Sequence, residues 1–336
     1  MKDRNNVTQE LSQLLRDFFL DRLIRQRNVS KCTVAGYRDT FKLLLPFVAD
    51  RLQKKPYELV LPDLDAPVVL AFLDHLEKVR NNCVRTRNVR LAAIRSFMQF
   101  ASYRTTVDLP TIRRVLAVPM KIYERGPVDH LSREEMQALL DAADPSSWSG
   151  HRDRILFQTL YNTGARVSEA IAMNVADVEL GDHPQIRIHG KGRKQRIVPL
   201  WPETRTGIRR WLVRVAGSGT TPLFPGRTKG RLSRSGVSSR LKLLAARAAT
   251  KCPGLIRHRT SPHLIRHTTA MHMLQSGVDL SVIAMWLGHE SIETTHQYME
   301  ADLNLKRQAL QSVKSPVRGP RTFKVDDQLL GFLESL

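Results

Sequence analysis

Cysteine is scarce in this sequence of 336 residues, which holds only Cys32, Cys83 and Cys252. The three lie far apart and form no C-x-x-C pair, so neither a disulfide framework nor a structural zinc site is expected. A run of about 18 apolar residues, the length that spans a membrane, is also lacking. The residues after Met1 lack the apolar core of a secretory signal. These absences predict a cytoplasmic protein without a membrane partner.

Acidic residues are under-represented as well. There are 53 Lys and Arg against 32 Asp and Glu, which gives a formal net charge of +21. Between Arg187 and Arg266 there are 20 Lys and Arg and a single acid, Glu203. Such a concentration of one charge repels itself unless a phosphate backbone neutralises it. A solvated surface that keeps the protein soluble is the alternative explanation, but the one-sided distribution favours nucleic acid as the partner.

Helical periodicity runs through the first hundred residues, which predict a small α-helical domain. Ser30 and Pro67 stand where helix starts are expected. A later helix carries an apolar stripe on one side and arginines on the other. An arginine row is ordinarily a solvated face, but the predicted nucleic-acid partner makes phosphate contact an equal alternative. The candidate DNA contacts in this row are Arg85, Arg87 and Arg90.

Breaks in the periodicity define the domain organisation. The apolar pattern fails from Leu109, and prolines and glycines follow. Ser132 and Glu135 then form a capping box, which is typical of a helix start. These signals predict a helical DNA-binding domain at 1–116, a linker at 117–130, a second domain at 131–314 and a C-terminal tail at 315–336. The tail has an apolar stripe at helical spacing, made of Leu329, Leu330, Leu333 and Leu336.

Local signals also outline the second domain. Two runs of alternating residues, 185–189 and 195–200, are separated by a Gly-Lys-Gly-Arg-Lys turn and predict a β-hairpin. Gly164 is expected to end the helix before it. Capping residues and glycines predict two later helices, one from Ser261 to Gly277 and one from Asp279 to Gly288.

Four short motifs in the second domain carry residues suited to breaking a phosphodiester: G-A-R-V-S-E-A (164–170), H-G-K-G-R-K (189–194), S-P-H-L-I-R-H (261–267) and L-G-H-E-S-I-E-T-T-H-Q-Y (287–298). A phenol can attack phosphorus once a base and positive charge activate it. Two guanidiniums can hold the phosphate oxygens, and an ammonium can protonate the leaving oxygen. The candidate catalytic residues are Arg166, Lys191, His263, Arg266, His289 and Tyr298.

The order, spacing and context of these residues resemble the tyrosine site-specific recombinases, the phage integrase family that includes the Xer-type enzymes. The resemblance covers residues 131–300 in detail. One departure is Ala165, where the family's G-L-R-x-S-E pattern usually has leucine. The resemblance implies these roles: Tyr298 as nucleophile, Arg166 and Arg266 as phosphate clamps, His263 as acid and base to the tyrosine, His289 as donor to a phosphate oxygen, and Lys191 as general acid.

Residues beside these six have more than one interpretation. Arg193, Lys194 and Arg196 are either rivals for the general-acid role or ordinary phosphate contacts, and we keep them as candidate DNA-binding residues. Glu169 lies one turn after a clamp arginine and is expected to orient an active-site group without reacting. His267 is expected to have a supporting, structural role in which it packs beside the site.

His263 and His289 have two competing interpretations, as metal ligands or as hydrogen-bonded histidines of the core. The spacing of His263 and His267 would place both on one helix face and suit a metal ion. However, no acid lies between Glu203 and Asp279 to complete such a site, and Arg266 between the two histidines would repel a cation. We therefore expect neither a metal nor any other cofactor.

The resemblance also implies the fold class and the reaction. The expected fold is mainly α, with a helical, SAM-like core-binding domain before a mixed α/β, mostly helical catalytic domain that holds a small antiparallel sheet. The implied reaction recombines double-stranded DNA at a specific core site through a 3′-phosphotyrosyl intermediate and a Holliday junction. It needs neither metal nor ATP, and serves a mobile element, integration or resolution.

The resemblance implies assembly as well. A homo-oligomer, a tetrameric synapse, is expected on DNA, with related recombinases as further partners. The tail at 315–336 is expected to contact the neighbouring protomer. Two alternatives remain open: a type IB topoisomerase, which shares the chemistry but acts alone, and a catalytically silent DNA-binding regulator on the same fold.

Overall fold

The structure is a computed structural model. It describes residues 11–105, 107–124, 128–190, 194–228 and 230–289, together with Thr295 and Tyr298. The chain separates into two compact units, Met1–Arg125 and Gly126–Leu336, and this division falls inside the predicted linker. The described residues are mostly helical with one small antiparallel sheet, so the predicted fold class is confirmed. Among them, no helix is long and apolar enough to cross a membrane.

The first unit is helical in its described residues. Its helices are α1 (residues 11–26, π-helical over Phe18–Gln26), α2 (Lys31–Arg51), α3 (Ala66–Lys78), α4 (Val84–Ala101) and α5 (Leu109–Leu116). The two predicted starts are confirmed. The Ser30 hydroxyl accepts a hydrogen bond from the Thr33 N–H at 3.2 Å, and Pro67 lies in the first turn of α3.

Aromatic side chains from three helices form the core of this unit. Phe18, Phe41 and Phe97 are buried, and the rings of Phe18 and Phe97 meet edge to face with centroids 5.5 Å apart. The Phe41 and Phe97 rings are 5.2 Å apart in the same geometry. Burial of each such side chain contributes about 1.5–3 kcal/mol. The apolar stripes read from the sequence thus hold α1, α2 and α4 together.

Helix α5 lies where the sequence predicted the pattern to fail. It begins at Leu109, with Pro110 in its first turn, where a missing N–H breaks no intrahelical hydrogen bond. Ile112 and Val115, three residues apart, are fully buried. The prediction of irregular chain from Leu109 is therefore wrong for these eight residues, because so short a helix holds too few apolar positions to show a period.

The arginine row of α4 also differs from the prediction. Arg87 is 3% exposed, and its Nη1 donates a hydrogen bond to the Pro119 carbonyl oxygen at 3.0 Å. Arg90 is partly buried and donates through Nη1 to the Gly36 carbonyl oxygen, also at 3.0 Å. Only Arg85 of the three candidates is exposed. The placement of Arg87 on a solvated face is wrong, since its guanidinium supplies a donor inside the unit.

The second unit contains a mixed arrangement of helices and a hairpin. In chain order its elements are α6 (Arg133–Asp141), α7 (Trp148–Thr163), α8 (Val167–Ala172), β1 (Val178–Glu179), β2 (Gln185–His189), β3 (Gln195–Pro199), α9 (Pro202–Val215), α10 (Arg234–Ala248), α11 (Pro262–Gln275) and α12 (Leu280–Leu287). The strands are antiparallel in the order β1-β2-β3. Helix α7 packs against both α9 and α11.

The predicted boundary signals of this unit are confirmed. The Ser132 hydroxyl accepts from the Glu135 N–H at 3.1 Å, and the Glu135 carboxylate accepts from the Ser132 N–H at 2.8 Å. The hairpin forms with His189 opposite Gln195. Gly164, with φ of 59°, ends α7 in the left-handed region that favours glycine.

Candidate active site

Arg266 is held in one orientation inside the second unit. It lies on α11, is 3% exposed, and donates through Nη1 to the Gly164 carbonyl oxygen at 2.6 Å. Its Nη2 donates to the Leu287 carbonyl oxygen at 2.9 Å. These acceptors lie at the C-terminal ends of α7 and α12, where carbonyl groups lack intrahelical partners and attract positive charge. Burial, and then the charge of Arg166, lower the pKa of Arg266 to about 10, so it stays charged at neutral pH.

Arg166 is the second candidate clamp and is the N-cap residue of α8. Its side chain is 39% exposed, and its Nη1 donates to Glu169 Oε1 at 2.9 Å. Its Nη2 lies 3.5 Å from the Gly288 carbonyl oxygen. Arg166 is one of the positive charges that lower the pKa of Arg266, which places the two guanidiniums in one electrostatic environment. Two such groups can share the charge of one phosphate.

Glu169 joins this clamp to the hairpin. Its Oε2 accepts from Arg196 Nη2 at 2.8 Å, and Arg196 Nε donates to the Trp286 carbonyl oxygen at 2.9 Å. Burial alone would raise the pKa of Glu169, but the hydrogen bond and charge of Arg196 and the hydrogen bonds of Arg166 hold that pKa below the ordinary value. The Arg196 side chain is only 13% exposed. Arg196 therefore has an internal contact with Glu169 that the sequence did not predict, and its contact with a phosphate stays a prediction.

Tyr298 lies against α11 with 1% of its surface exposed, in an apolar cluster that includes Met271 and Leu287. Its hydroxyl is 3.0 Å from His267 Nδ1. His263 is exposed, and its ring stacks on that of His267 with centroids 5.7 Å apart. His267 thus has a polar contact with the candidate nucleophile, where the sequence predicted only packing beside the site.

His289 follows α12 and faces the same cluster. Its ring is nearly parallel to that of Tyr298, with centroids 6.4 Å apart. Burial, then the charges of Arg266 and Arg166, lower its pKa to about 4, so the ring is neutral at pH 7. Its Nδ1 is 2.7 Å from the Thr295 hydroxyl. A neutral imidazole that accepts at Nδ1 carries its proton on Nε2, where it can donate to a phosphate oxygen.

Thr295 was missed by the sequence reasoning. Its side chain is fully buried, and its hydroxyl is the described group that can select the tautomer of His289. The signal available was its position, six residues after His289 and three before Tyr298. On a helix that offset from Tyr298 places both side chains on one face.

The hairpin carries the remaining candidates. Lys191 and Arg193 lie outside the described residues. Lys194 is exposed, and its carbonyl oxygen accepts from the Gly190 N–H at 2.8 Å, which closes the base of the turn. In the described part of the chain, no group of three or more His, Cys, Asp or Glu is arranged to hold a metal ion.

A buried phenol in contact with an imidazole, beside paired guanidiniums on a mostly helical unit, is the arrangement of a tyrosine recombinase. Comparison with known proteins gives the family. Residues 129–304 match the phage integrase family, and residues 17–105 match the phage integrase N-terminal SAM-like domain. The chain therefore belongs to the phage integrase family, and it is a tyrosine recombinase.

Relatives and a solved structure agree with this assignment. The chain is 43% identical to the putative integrase/recombinase y4rC of Sinorhizobium fredii, over 97% of this chain and 98% of that protein. It is 34% identical to the tyrosine recombinase XerC of Rhodospirillum centenum, over 83% of this chain and 80% of that protein. The XerH site-specific recombinase, solved on its difH substrate, matches with a TM-score of 0.66 over 85% of this chain and 81% of that chain. At 22% identity this last match concerns the fold.

Proposed function

We propose that this chain breaks and rejoins duplex DNA at a specific core site by transient covalent attachment to Tyr298. The observation that carries the proposal is the Tyr298 hydroxyl held by a neutral imidazole on the helix that also carries the buried guanidinium of Arg266. In this reaction the phenolic oxygen attacks the phosphorus and the bond to the 5′ oxygen breaks. The product is a 3′-phosphotyrosyl bond and a free 5′ hydroxyl, so the bond energy is kept without ATP.

The charged groups stabilise the crowded phosphorus in the transition state. Arg166 and Arg266 are oriented before substrate arrives by Glu169 and by helix-end carbonyl oxygens. Preorganised donors of this kind cost no reorganisation when charge develops on the phosphate oxygens. His289, with its proton on Nε2, adds a neutral donor. This division of labour supports phosphoryl transfer without a metal ion.

Lys191 is the proposed general acid that protonates the departing 5′ oxygen. In the sequence, glycines flank Lys191 on both sides, and a residue without a side chain lets a DNA backbone approach closely. Lys191→Ala should slow cleavage strongly. A substrate with sulfur in place of the 5′ bridging oxygen should restore the rate, because a thiolate leaves without a proton.

Recombination needs more than one protomer, and we propose four on two DNA sites, with strand exchange through a Holliday junction. The apolar stripe of the tail at 315–336 supports an assembling enzyme over a topoisomerase that acts alone. The tail lies outside the described residues. Relaxation of supercoiled DNA without strand exchange would favour the topoisomerase alternative.

The covalent step is tested with a nicked suicide substrate, which traps the adduct because the short 5′ end diffuses away. Tyr298→Phe should bind DNA as the wild type does but form no adduct on a denaturing gel. Tyr103→Phe, a change at an exposed tyrosine of the first unit, is the matched control. A normal adduct yield from Tyr298→Phe would refute the nucleophile, and no adduct from the wild type would favour the silent regulator.

A further inference from the structure

His267 is in contact with the Tyr298 hydroxyl. Its Nδ1 lies 3.0 Å from the phenolic oxygen, within hydrogen-bond distance. The ring of His263 stacks on the other side of His267 and is exposed to solvent. The resemblance implied that His263 is acid and base to the tyrosine and left His267 a structural role, but the imidazole placed within hydrogen-bond distance of the phenolic oxygen is that of His267.

The surroundings of His267 keep its ring neutral. Burial, then electrostatic interaction with His263 and with the charge of Arg266 on the same helix, lower the pKa of His267 to about 4. From the segment before α6, Asp129 opposes this effect with its negative charge, and Asp129 is itself bound to His258 Nδ1 at 2.6 Å. From the chain after α12, His289 and Tyr298 face the same ring. A neutral imidazole has one nitrogen without a proton, which can accept the phenolic proton.

We propose that His267 takes the proton of Tyr298 during strand cleavage and returns it during rejoining. This inference rests on the proposed function of Tyr298 as nucleophile. In cleavage, the bond from the phenolic oxygen to phosphorus forms while its proton passes to His267, and the bond from phosphorus to the 5′ oxygen breaks while that oxygen gains a proton from the general acid. In rejoining, each proton returns along the same route, so the protein ends the cycle unchanged.

The same surroundings make the proton affinity of His267 depend on whether DNA phosphate is bound. Without phosphate, Arg266 and its neighbours disfavour a positive charge on His267. A phosphate bound between Arg166 and Arg266 brings negative charge that offsets the positive charge of the two guanidiniums. The affinity of His267 for a proton therefore rises. Proton transfer from Tyr298 is then favoured only when a target for attack is in place. The buried phenol is thereby protected from reaction in the absence of DNA.

The test compares variants that separate proton transfer from positioning. His267→Phe keeps a ring but removes both nitrogens. His267→Asn places an amide where Nδ1 stood, so it keeps a hydrogen-bonding group that cannot carry the proton. In single-turnover cleavage of the suicide substrate, both should be slower than the wild type by about 100-fold or more, as for loss of a general base. DNA affinity, measured in parallel, should be unchanged.

Rescue of a His267 variant by added imidazole tests the proton transfer directly, and the same experiment on a His263 variant is its control. Imidazole added to His267→Ala should restore adduct formation, with rates that rise with the pKa of substituted imidazoles. The same additives should not restore His263→Ala. A His267→Asn rate near that of the wild type, or His267→Ala unresponsive to every imidazole, would overturn the proposal.

Comparison with Tyr298→Phe distinguishes a failure of the proposed base from a failure of the proposed function. If Tyr298→Phe forms no adduct while His267→Asn cleaves normally, Tyr298 remains the nucleophile and only the base is wrong. If Tyr298→Phe still forms adducts, the proposed function fails, and the base proposal fails with it. Wild-type DNA affinity in every variant shows that the fold is retained.

Discussion

Glu169 and Arg196 form an ion pair across the second unit, with 2.8 Å between Oε2 and Nη2. The pair ties α8 to β3, and the other carboxylate oxygen of Glu169 orients Arg166. The candidate clamp Arg166 and strand β3 are thus held by one buried carboxylate. The orientation of Arg166 and the position of β3 therefore depend on the same side chain.

Removal of that carboxylate should damage both stability and activity. Glu169→Ala leaves Arg196 buried without its partner, so we expect a loss of about 3 kcal/mol in the free energy of unfolding. Cleavage should also slow because Arg166 loses its orientation. Denaturant unfolding and single-turnover cleavage measure the two effects. Glu203→Ala, at an exposed acid in the first turn of α9, is the control, and equal behaviour of the two variants would contradict the prediction.

The hydroxyl of Thr295 should matter for the tautomer of His289. Thr295→Val keeps the shape but removes the hydrogen bond to Nδ1, so the proton is no longer directed to Nε2. Cleavage should slow by about 10-fold or more, since one donor to the phosphate is worth at least one to two kcal/mol. Thr295→Ser, which keeps the hydroxyl, should be close to wild type. If the valine variant cleaves as fast as the serine variant, the tautomer is set elsewhere.

Acid should destabilise the second unit through two half-buried histidines, His267 and His289. In the unfolded chain His267 and His289 take up protons near the ordinary pKa of 6.5, but in the folded protein only near about 4. Between these values the unfolded state binds more protons, so stability should fall as the pH falls from about 6.5 to about 4. His289→Asn should make that fall shallower in thermal unfolding followed across the pH range. An exposed-site control, His183→Asn, should leave the slope unaltered.

Salt dependence should locate the DNA footprint. Each phosphate contact contributes about −0.9 to the slope of log affinity against log salt. Neutralisation of Arg193 and Lys194 together should make the slope shallower by up to about two contacts. Arg133→Gln, at an exposed base outside the basic segment from Arg187 to Arg266, is the control. If the variant with both residues neutralised has the same salt slope as the wild type, Arg193 and Lys194 do not contact phosphates and the DNA contacts lie elsewhere.

The tail should serve assembly more than binding. Deletion of residues 325–336 should leave affinity for a single site nearly intact but weaken cooperative pairing and strand exchange, because a helix bound in a partner's groove gains strength when DNA holds the partners close. Gel shifts with one and two sites measure the difference. The alternative is a tail that folds back on its own domain. Full-length rates of synapsis and recombination from the truncated protein would exclude contact with the neighbour.

Local signals predicted the helix ends well where the donor and the acceptor of the capping hydrogen bond are only a few residues apart in the sequence. Ser30, Ser132 and the glycine after α7 act on their own helix ends, so the sequence shows donor and acceptor together. The β2–β3 hairpin is local in the same sense, because its turn residues decide the pairing. The motif residues were found for a different reason, since their order and spacing resemble a known family.

Long-range contacts explain what the sequence did not show. Spacing around a helix axis says which residues share a face, but not which neighbour covers that face. Arg87 is buried because the Pro119 carbonyl, 32 positions away, needs a donor. Arg196 turns inward for Glu169, at a distance of 27 positions. The sequence placed Arg87 in an arginine row on a helix face and Arg196 beside Lys191, and neither position shows an internal partner so far along the chain.

The sequence by itself determined the helical class, the hairpin, the excess of basic residues and the set of groups able to perform phosphoryl transfer. Only the tertiary structure decided which imidazole contacts the phenol. His263 and His267 are four positions apart on one helix, and their chemistry is identical. Their roles separate because the packing of α11 exposes one ring to solvent and places the other against Tyr298. A hydrogen bond between residues 31 positions apart depends on that packing, which no local pattern encodes.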